Sequence, residues 1–262
     1  MLVDHPLISH RVFSPRPTNL EPTCRVDVEG AHLGCYSFRR HSQAGTVLYF
    51  HGNGELAAEY ATGSAEFFLC LGVNVCFAEY RGYGASTGTP TLGAMLGDGE
   101  RIVRALGVPA ERLVVFGRSL GSVYAIELAR RLPQIAGLIL ESGIADVYET
   151  WPVADSTLER CGFTRGELRQ EAATHFDHRA KLQGYEGPLL VLHSAYDQLL
   201  DRTHAERLHN WGGGSDKRLV VFPNGNHNTI LSANYMEYVR EVAQLLRRAG
   251  VLSVPGGGAK PV

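Results

Sequence analysis

The chain has no basic excess and no run of like charges: 25 Lys+Arg stand against 27 Asp+Glu, for a formal net charge of −2. It therefore offers no patch that would neutralise a phosphate backbone, and nucleic acid is not an expected partner. No apolar stretch approaches the ~18 residues of a membrane span. Met1-Leu2-Val3-Asp4-His5-Pro6 carries neither the basic nor the apolar region of a signal peptide. The expectation is a soluble, cytoplasmic protein. Also missing are a G-x-x-x-x-G-K-[ST] phosphate loop, a G-x-G-x-x-G fingerprint, an internal repeat and any C-x-x-C pair. The five cysteines, an odd number, fit reduced thiols better than a disulfide framework or a zinc site.

What is present is a length of 262 residues, enough for a sizeable core. A two-residue turn at Glu29-Gly30 would pair Val28 with Ala31 and Val26 with Leu33, setting Cys24 opposite Cys35 as two packed thiols. After this hairpin, short apolar runs alternate with helical patterns, the signal of a mostly parallel α/β sheet. The strands are expected at Thr46 to Phe50, Asn74 to Glu79, Arg112 to Gly117, Ala136 to Glu141, Pro188 to His193 and Lys217 to Phe222, about eight with the hairpin. Helices are expected from Glu55 to Leu71, Leu92 to Leu106, Ser119 to Leu132, Thr203 to Asn210 and Asn228 to Ala249. The stretch between Glu141 and Pro188 is far longer than a crossover helix requires. It reads as a small cap of two or three short helices at 144–186, inserted in a core of 1–143 and 187–252, with a frayed tail at 253–262.

Two G-x-S-x-G patterns occur. Gly84-Ala85-Ser86-Thr87-Gly88 follows a strand but runs into Thr89-Pro90-Thr91, so a loop and a Pro-started helix separate its serine from the next element. Gly117-Arg118-Ser119-Leu120-Gly121 directly ends one expected strand and opens one expected helix, the setting in which a sharp turn lifts a serine hydroxyl above a sheet. A serine hydroxyl is a weak nucleophile that needs a base and an orienting acid. Asp197 follows the strand ending at His193 and His227 follows the strand ending at Phe222, so Ser119, Asp197 and His227 fall in order at three strand ends on one sheet edge. Glu141, at another strand end, is the alternative acid. Backbone donors for a developing oxyanion are expected at Leu120 and, in the turn His51-Gly52-Asn53-Gly54, at Asn53; His51 itself reads as a structural hydrogen-bonder. His175, Asp177 and His178 have ligand chemistry but no further partner, so neither metal nor cofactor is expected.

With these residues assigned, the sequence resembles the α/β-hydrolase serine hydrolases over nearly its whole length. More narrowly, Phe50-His51-Gly52-Asn53-Gly54, Tyr80-Arg81-Gly82-Tyr83-Gly84-Ala85-Ser86, Gly117-Arg118-Ser119-Leu120-Gly121-Ser122 and Gly225-Asn226-His227-Asn228 resemble the compact group of depalmitoylase-like and bacterial hydrolases. The resemblance implies support roles for Tyr80 and Arg81 beside the site. The chain departs from the pattern at His193-Ser194-Ala195-Tyr196-Asp197, where the group usually has His-Gly. It also departs in having no cysteine cluster before its first strand, so a lipid-anchored arrangement is not implied. Arg118 is expected to tie loops together, or else to place a positive charge at the substrate entrance. In the insertion, Tyr148, Trp151 and Phe163 are candidates to line a pocket for an apolar group. The expected activity is hydrolysis of a small-molecule carboxylic ester or thioester through an acyl-enzyme on Ser119. An oligopeptidase or amidase on the same fold is the alternative, and a ligand-binding module without turnover a further one.

Overall fold

Five consecutive strands of this protein are buried along their whole length, and a strand covered on both faces belongs in the middle of a parallel sheet with helices on either side. The computed structural model describes residues 1–253. Its strands are β1 (Cys24–Val28), β2 (Ala31–Phe38), β3 (Thr46–Phe50), β4 (Asn74–Ala78), β5 (Leu113–Arg118), β6 (Gly137–Glu141), β7 (Leu189–Ser194) and β8 (Lys217–Phe222). They form one eight-stranded sheet in the order β1-β2-β4-β3-β5-β6-β7-β8. β1 pairs antiparallel with β2, and β2 antiparallel with β4; every other pair is parallel. The buried strands β3 to β7 are rich in Val, Leu, Ile and Phe, whereas the edge strand β8 is covered only in part. The N-terminal hairpin has the expected register, with Val28 opposite Ala31, Val26 opposite Leu33 and Cys24 opposite Cys35. All five cysteines are free thiols.

The strand order reverses between β3 and β5. From that point the chain runs outward first through β4 and later through β6, so the turns after β3 and β5 flank a crevice, the usual ligand position in an open α/β sheet. Phe50 lies opposite Gly117 and Arg118 opposite Glu141, bringing these strand ends level.

Several expected helices are interrupted. The pattern read from Glu55 to Leu71 forms Ala57–Gly63 and Ala65–Cys70, broken at Ser64, and Gly-Ser is a weak helical pair. The pattern from Asn228 to Ala249 forms Ile230–Ala233 and Tyr235–Arg248, broken at Asn234, whose amide donates to the carbonyls of Asn224 and Ile230. Between β6 and β7 lie four helices, where two or three were expected: Val147–Thr150, Asp155–Cys161, Arg165–His175 and His178–Gln183. The last packs on Gly121–Arg131 and Arg202–Trp211, with a buried Lys181–Glu127 ion pair of 2.8 Å at the first contact. Of the tail read at 253–262, Ser253 donates its N–H to Gly72 O at 2.8 Å, and 254–262 lie outside the described residues.

Candidate active site

The turn carrying Ser119 is built by exclusion. A Cβ on Gly121 would stand 2.1 Å from Phe50 O, and one on Gly117 would stand 2.6 Å from Ala125 Cβ. The two glycines therefore let the start of helix Gly121–Arg131 close onto the ends of β3 and β5. Ser119 between them sits at φ 49°, a left-handed conformation that costs energy in a residue with a side chain. Its N–H donates to Glu141 O at 2.9 Å, which holds the turn against β6.

Ser119 Oγ lies 3.0 Å from His227 Nε2, and His227 Nδ1 lies 2.7 Å from Asp197 Oδ2. With Nδ1–H donating to the carboxylate, Nε2 is left as an acceptor for the serine hydroxyl. The Asp197 side chain is fully covered. Burial raises its pKa, but the bonds from His227 and from the N–H groups of Leu200 (3.0 Å) and Leu199 (2.9 Å) outweigh that and push it down to about 2. His193, within 3.9 Å of the same carboxylate, is pushed down by burial and stays neutral beside it. The loops are tied to each other by Ser194 Oγ donating to Gly225 O at 2.8 Å.

The alternative acid, Glu141, is elsewhere engaged: it accepts from Tyr238 Oη and pairs with Arg118 Nε at 3.3 Å, and burial pushes its carboxyl up. His227 Nδ1 therefore meets Asp197 and not Glu141. Ser86 of the second G-x-S-x-G has a structural bond, accepting from Gly34 N at 3.0 Å.

The turn after β3 is held from several sides. His51 is buried with Nδ1 2.8 Å from Gly52 O and Nε2 2.7 Å from Glu79 Oε1. Burial lowers its pKa, but Glu79 more than compensates and holds it above the usual histidine value. Both ring nitrogens of His51 thus face acceptors, which makes it a buried structural tie between the turn and the end of β4. Tyr80 Oη donates to His51 O at 2.6 Å, and Arg81 forms a bidentate pair with Asp98, the support positions expected beside the site. The Asn53 side chain accepts from Ser14 N (3.0 Å) and Tyr83 Oη (2.7 Å), fixing the turn beside Ser119. Among the described residues, no protein acceptor takes the Asn53 or Leu120 backbone N–H. Glu79 was missed by sequence reasoning. Its signal was faint: an acidic residue just beyond an apolar strand, opposite a histidine at the next strand's end.

Arg118 is buried and ties four groups together: Glu55 (3.0 Å), Glu141 (3.3 Å), His227 O (3.1 Å) and Asn228 Oδ1 (3.0 Å). It joins the loops, the first of its two expected roles. A cavity of about 330 Å³ opens over Ser119 and His227, walled by Ile144, Trp151, Leu199 and Leu200. Of the three insertion aromatics proposed for a pocket, only Trp151 lines it. Tyr148 instead hydrogen-bonds Arg165 at 2.7 Å under the Arg169 guanidinium, and Phe163 packs edge-on against His5. The short helix Val147–Thr150 turns Tyr148 and Trp151 to different neighbours, so nearness in sequence does not bring them to one cavity. Among the described residues no group of three or more His, Cys, Asp or Glu is arranged to hold a metal ion, and no helix is long and apolar enough to cross a membrane. His178, one of the three ligand-type residues considered, is buried with Nδ1 2.9 Å from Ile144 O.

Comparison with known proteins fits this arrangement. Residues 41–168, which include Ser119 and end before Asp197, match a family described as serine aminopeptidase, S33. Protein YfhR of Escherichia coli is 28% identical over 203 residues, 75% of this chain and 67% of its own. Yeast YNL320W, named a membrane protein, is 25% identical over 80% of this chain and 74% of its own. The α/β-hydrolase domain-containing protein 17C of Xenopus tropicalis is 28% identical over 81% of this chain and 66% of its own. The fold matches that of the Pyrococcus furiosus esterase Pf2001 at TM-score 0.71, with 18% identity over 90% of this chain and 98% of that one. The sheet order and the solved structures give the chain the α/β-hydrolase fold, and these likenesses together support a hydrolase of that superfamily.

Proposed function

We propose that the protein is a serine hydrolase that cleaves carboxylic esters or thioesters through an acyl-enzyme on Ser119. The observation that carries this reading is the continuous hydrogen-bonded line Ser119 Oγ, His227, Asp197, at 3.0 and 2.7 Å. In it, His227 Nε2 takes the proton as Ser119 Oγ attacks the carbonyl carbon, while Asp197 holds the ring in the needed tautomer and stabilises the imidazolium. The Leu120 and Asn53 N–H groups receive the oxyanion, and each donor of this kind is typically worth about 3 kcal/mol of barrier. His227 then protonates the leaving alcohol or thiol, the acyl-serine remains, and water deprotonated by the same ring releases the acid.

The wall of Ile144, Trp151, Leu199 and Leu200 favours an apolar group in a small-molecule substrate. In this reading the segment 144–186 acts as a cap that contributes Ile144, Thr150 and Trp151 to the pocket, and the reaction takes place in the cytoplasm without metal or cofactor. The matched family's description favours one second reading, a peptidase or amidase on the same site.

The test is intact-mass analysis after treatment with a fluorophosphonate, on wild type and Ser119→Ala, followed by turnover of 4-nitrophenyl esters and peptide 4-nitroanilides. A single adduct that needs Ser119, with ester turnover, is the expected result. Turnover of anilides alone would move the assignment to the peptidase reading, and wild-type-like hydrolysis by Ser119→Ala would overturn both.

A further inference from the structure

A separate cavity, of about 430 Å³, lies among the helices Val147–Thr150, Arg165–His175, His178–Gln183 and Arg202–Trp211. This is within the size range of small-ligand sites, about 300–1,000 Å³. It has no wall residue in common with the cavity over Ser119 and takes no part in the mechanism above. Tyr148, Phe176 and Trp211 bring aromatic rings to its wall, and the guanidiniums of Arg169 and Arg207 lie over the first and last of these rings at 4.8 and 5.9 Å.

One polar atom of this wall is unaccounted for. His178 lines the cavity and is 1% exposed. Burial, with Lys181 close by, pushes its pKa down to about 4, so the ring is neutral near pH 7. Its Nδ1–H donates to Ile144 O at 2.9 Å, which leaves the lone pair on Nε2. That nitrogen is buried and has no hydrogen-bond partner among the described residues. A buried acceptor left unpaired is the exception in a folded protein, and only a donor, O–H or N–H, can satisfy it. The acids of the same wall are engaged: Asp146 accepts from the N–H groups of Tyr148 and Glu149, Asp177 accepts from Ala180 N–H, and Glu149 pairs with Arg207 at 2.6 Å.

We propose that this cavity is a binding site for a small flat aromatic molecule that carries an O–H or N–H donor, a phenol or an indole by chemical class. The donor meets His178 Nε2 and the ring packs among Tyr148, Phe176 and Trp211. Aromatic faces and guanidinium planes both make favourable contact with a flat ring. In the wall Arg169, Arg179 and Arg207 stand against Asp146, Glu149 and Asp177, three against three, so ring and donor, and not a net charge, set the selection. Segment 145–149 lines this cavity, while Ile144, Thr150 and Trp151 at its two ends line the one over Ser119. The ligand therefore borders the wall of the substrate cavity from outside it, and its binding does not depend on the hydrolase reading.

The experiment titrates the whole protein, by ligand-observed NMR, with phenol and indole and with anisole and 1-methylindole, which keep the ring and lose the donor. Phenol is expected to bind with a Kd of about 1 mM or below, within what seven heavy atoms can deliver. Anisole should bind about tenfold more weakly or worse, and the indole pair should show the same order. Two variants locate the site. His178→Asn keeps an amide N–H for Ile144 O and removes Nε2, so phenol and anisole should bind it about equally. Ala173→Trp, at an exposed position of the wall, fills the space and should abolish saturable binding of both. If His178→Asn does not fold, Ala173→Trp decides the location and the wild-type ratio decides the chemistry. The proposal is overturned by wild type that binds no phenol saturably, by phenol and anisole binding wild type equally, or by a full phenol preference in folded His178→Asn. Binding that Ala173→Trp leaves unchanged would put the probe in another cavity and refute the site.

Discussion

Asp197 is an acid with every side-chain oxygen occupied: Oδ2 faces His227, and Oδ1 takes two backbone N–H groups. Replacing it by Asn reverses the hydrogen-bond polarity toward Nδ1 and should lower kcat by roughly 10⁴, the scale seen when such a histidine loses its tautomer. Glu141→Gln, on a carboxyl that does not touch His227, should cost kcat far less, and steady-state kinetics on the two variants makes the comparison. The depressed pKa of Asp197 also fixes a stability effect. Its folded value of about 2 lies below the ordinary 3.8, so its contribution is present above pH 4 and disappears as pH falls through 2. Urea unfolding of wild type between those pH values should lose about 2 kcal/mol more than that of Asp197→Asn.

His51 has the opposite sign. Glu79 holds its pKa above the ordinary 6.5, so its contribution is full below that pH and is lost as pH rises through the raised value. Glu79→Gln should flatten the alkaline loss of stability followed by urea unfolding from neutral to mildly basic pH. Ser119, Asp197 and His227 were legible in the sequence because each directly follows an apolar strand and their order suits one sheet edge. Glu79 was not, because its partner is 28 positions away and only the parallel β3–β4 pairing brings the two together.

At the scale of elements, the hairpin register and the strands needed only period and turn chemistry, and they moved by at most a residue or so. Helix continuity was less readable, since Ser64 and Asn234 sit inside good apolar periodicity and break it through local backbone and amide bonding. The tightest element junction is the approach of helix Gly121–Arg131 to β3. Gly121→Ala forces a methyl group onto Phe50 O, a backbone atom that cannot turn away, and should destabilise the protein by about 3 kcal/mol or more in urea unfolding. Gly97→Ala is the control. Its Cβ would meet nothing within 4 Å and its φ is −90°, so it should be neutral or stabilising by a few tenths of a kcal/mol.

At the scale of the whole molecule, the fold class followed from the alternation of strands and helices, but the cavity walls did not. Which aromatic reaches which space depends on how helices from distant parts of the chain meet. Trp151 reaches the Ser119 cavity, while its near neighbours Tyr148 and Phe163 face Arg165 and His5. The described residues hold no three-residue metal-ligand group, and dialysis against EDTA should leave ester turnover unchanged; a loss restored by a divalent ion would contradict the proposed mechanism.

The N-terminal residues bear on motion. Val3 N–H donates to Glu171 at 2.8 Å, His5 packs edge-on against Phe163, and Asp4 accepts from Gly93 N at 2.6 Å, while farther on Ser14 N–H donates to Asn53 Oδ1. One short stretch thus acts as a hasp, fastened at one end to the helices between β6 and β7 and at the other to the turn beside Ser119. The N-terminal stretch thereby ties those helices to the turn beside Ser119, and a protein trimmed to begin at β1 would keep every motif of the site yet lose the contacts that join its two sides.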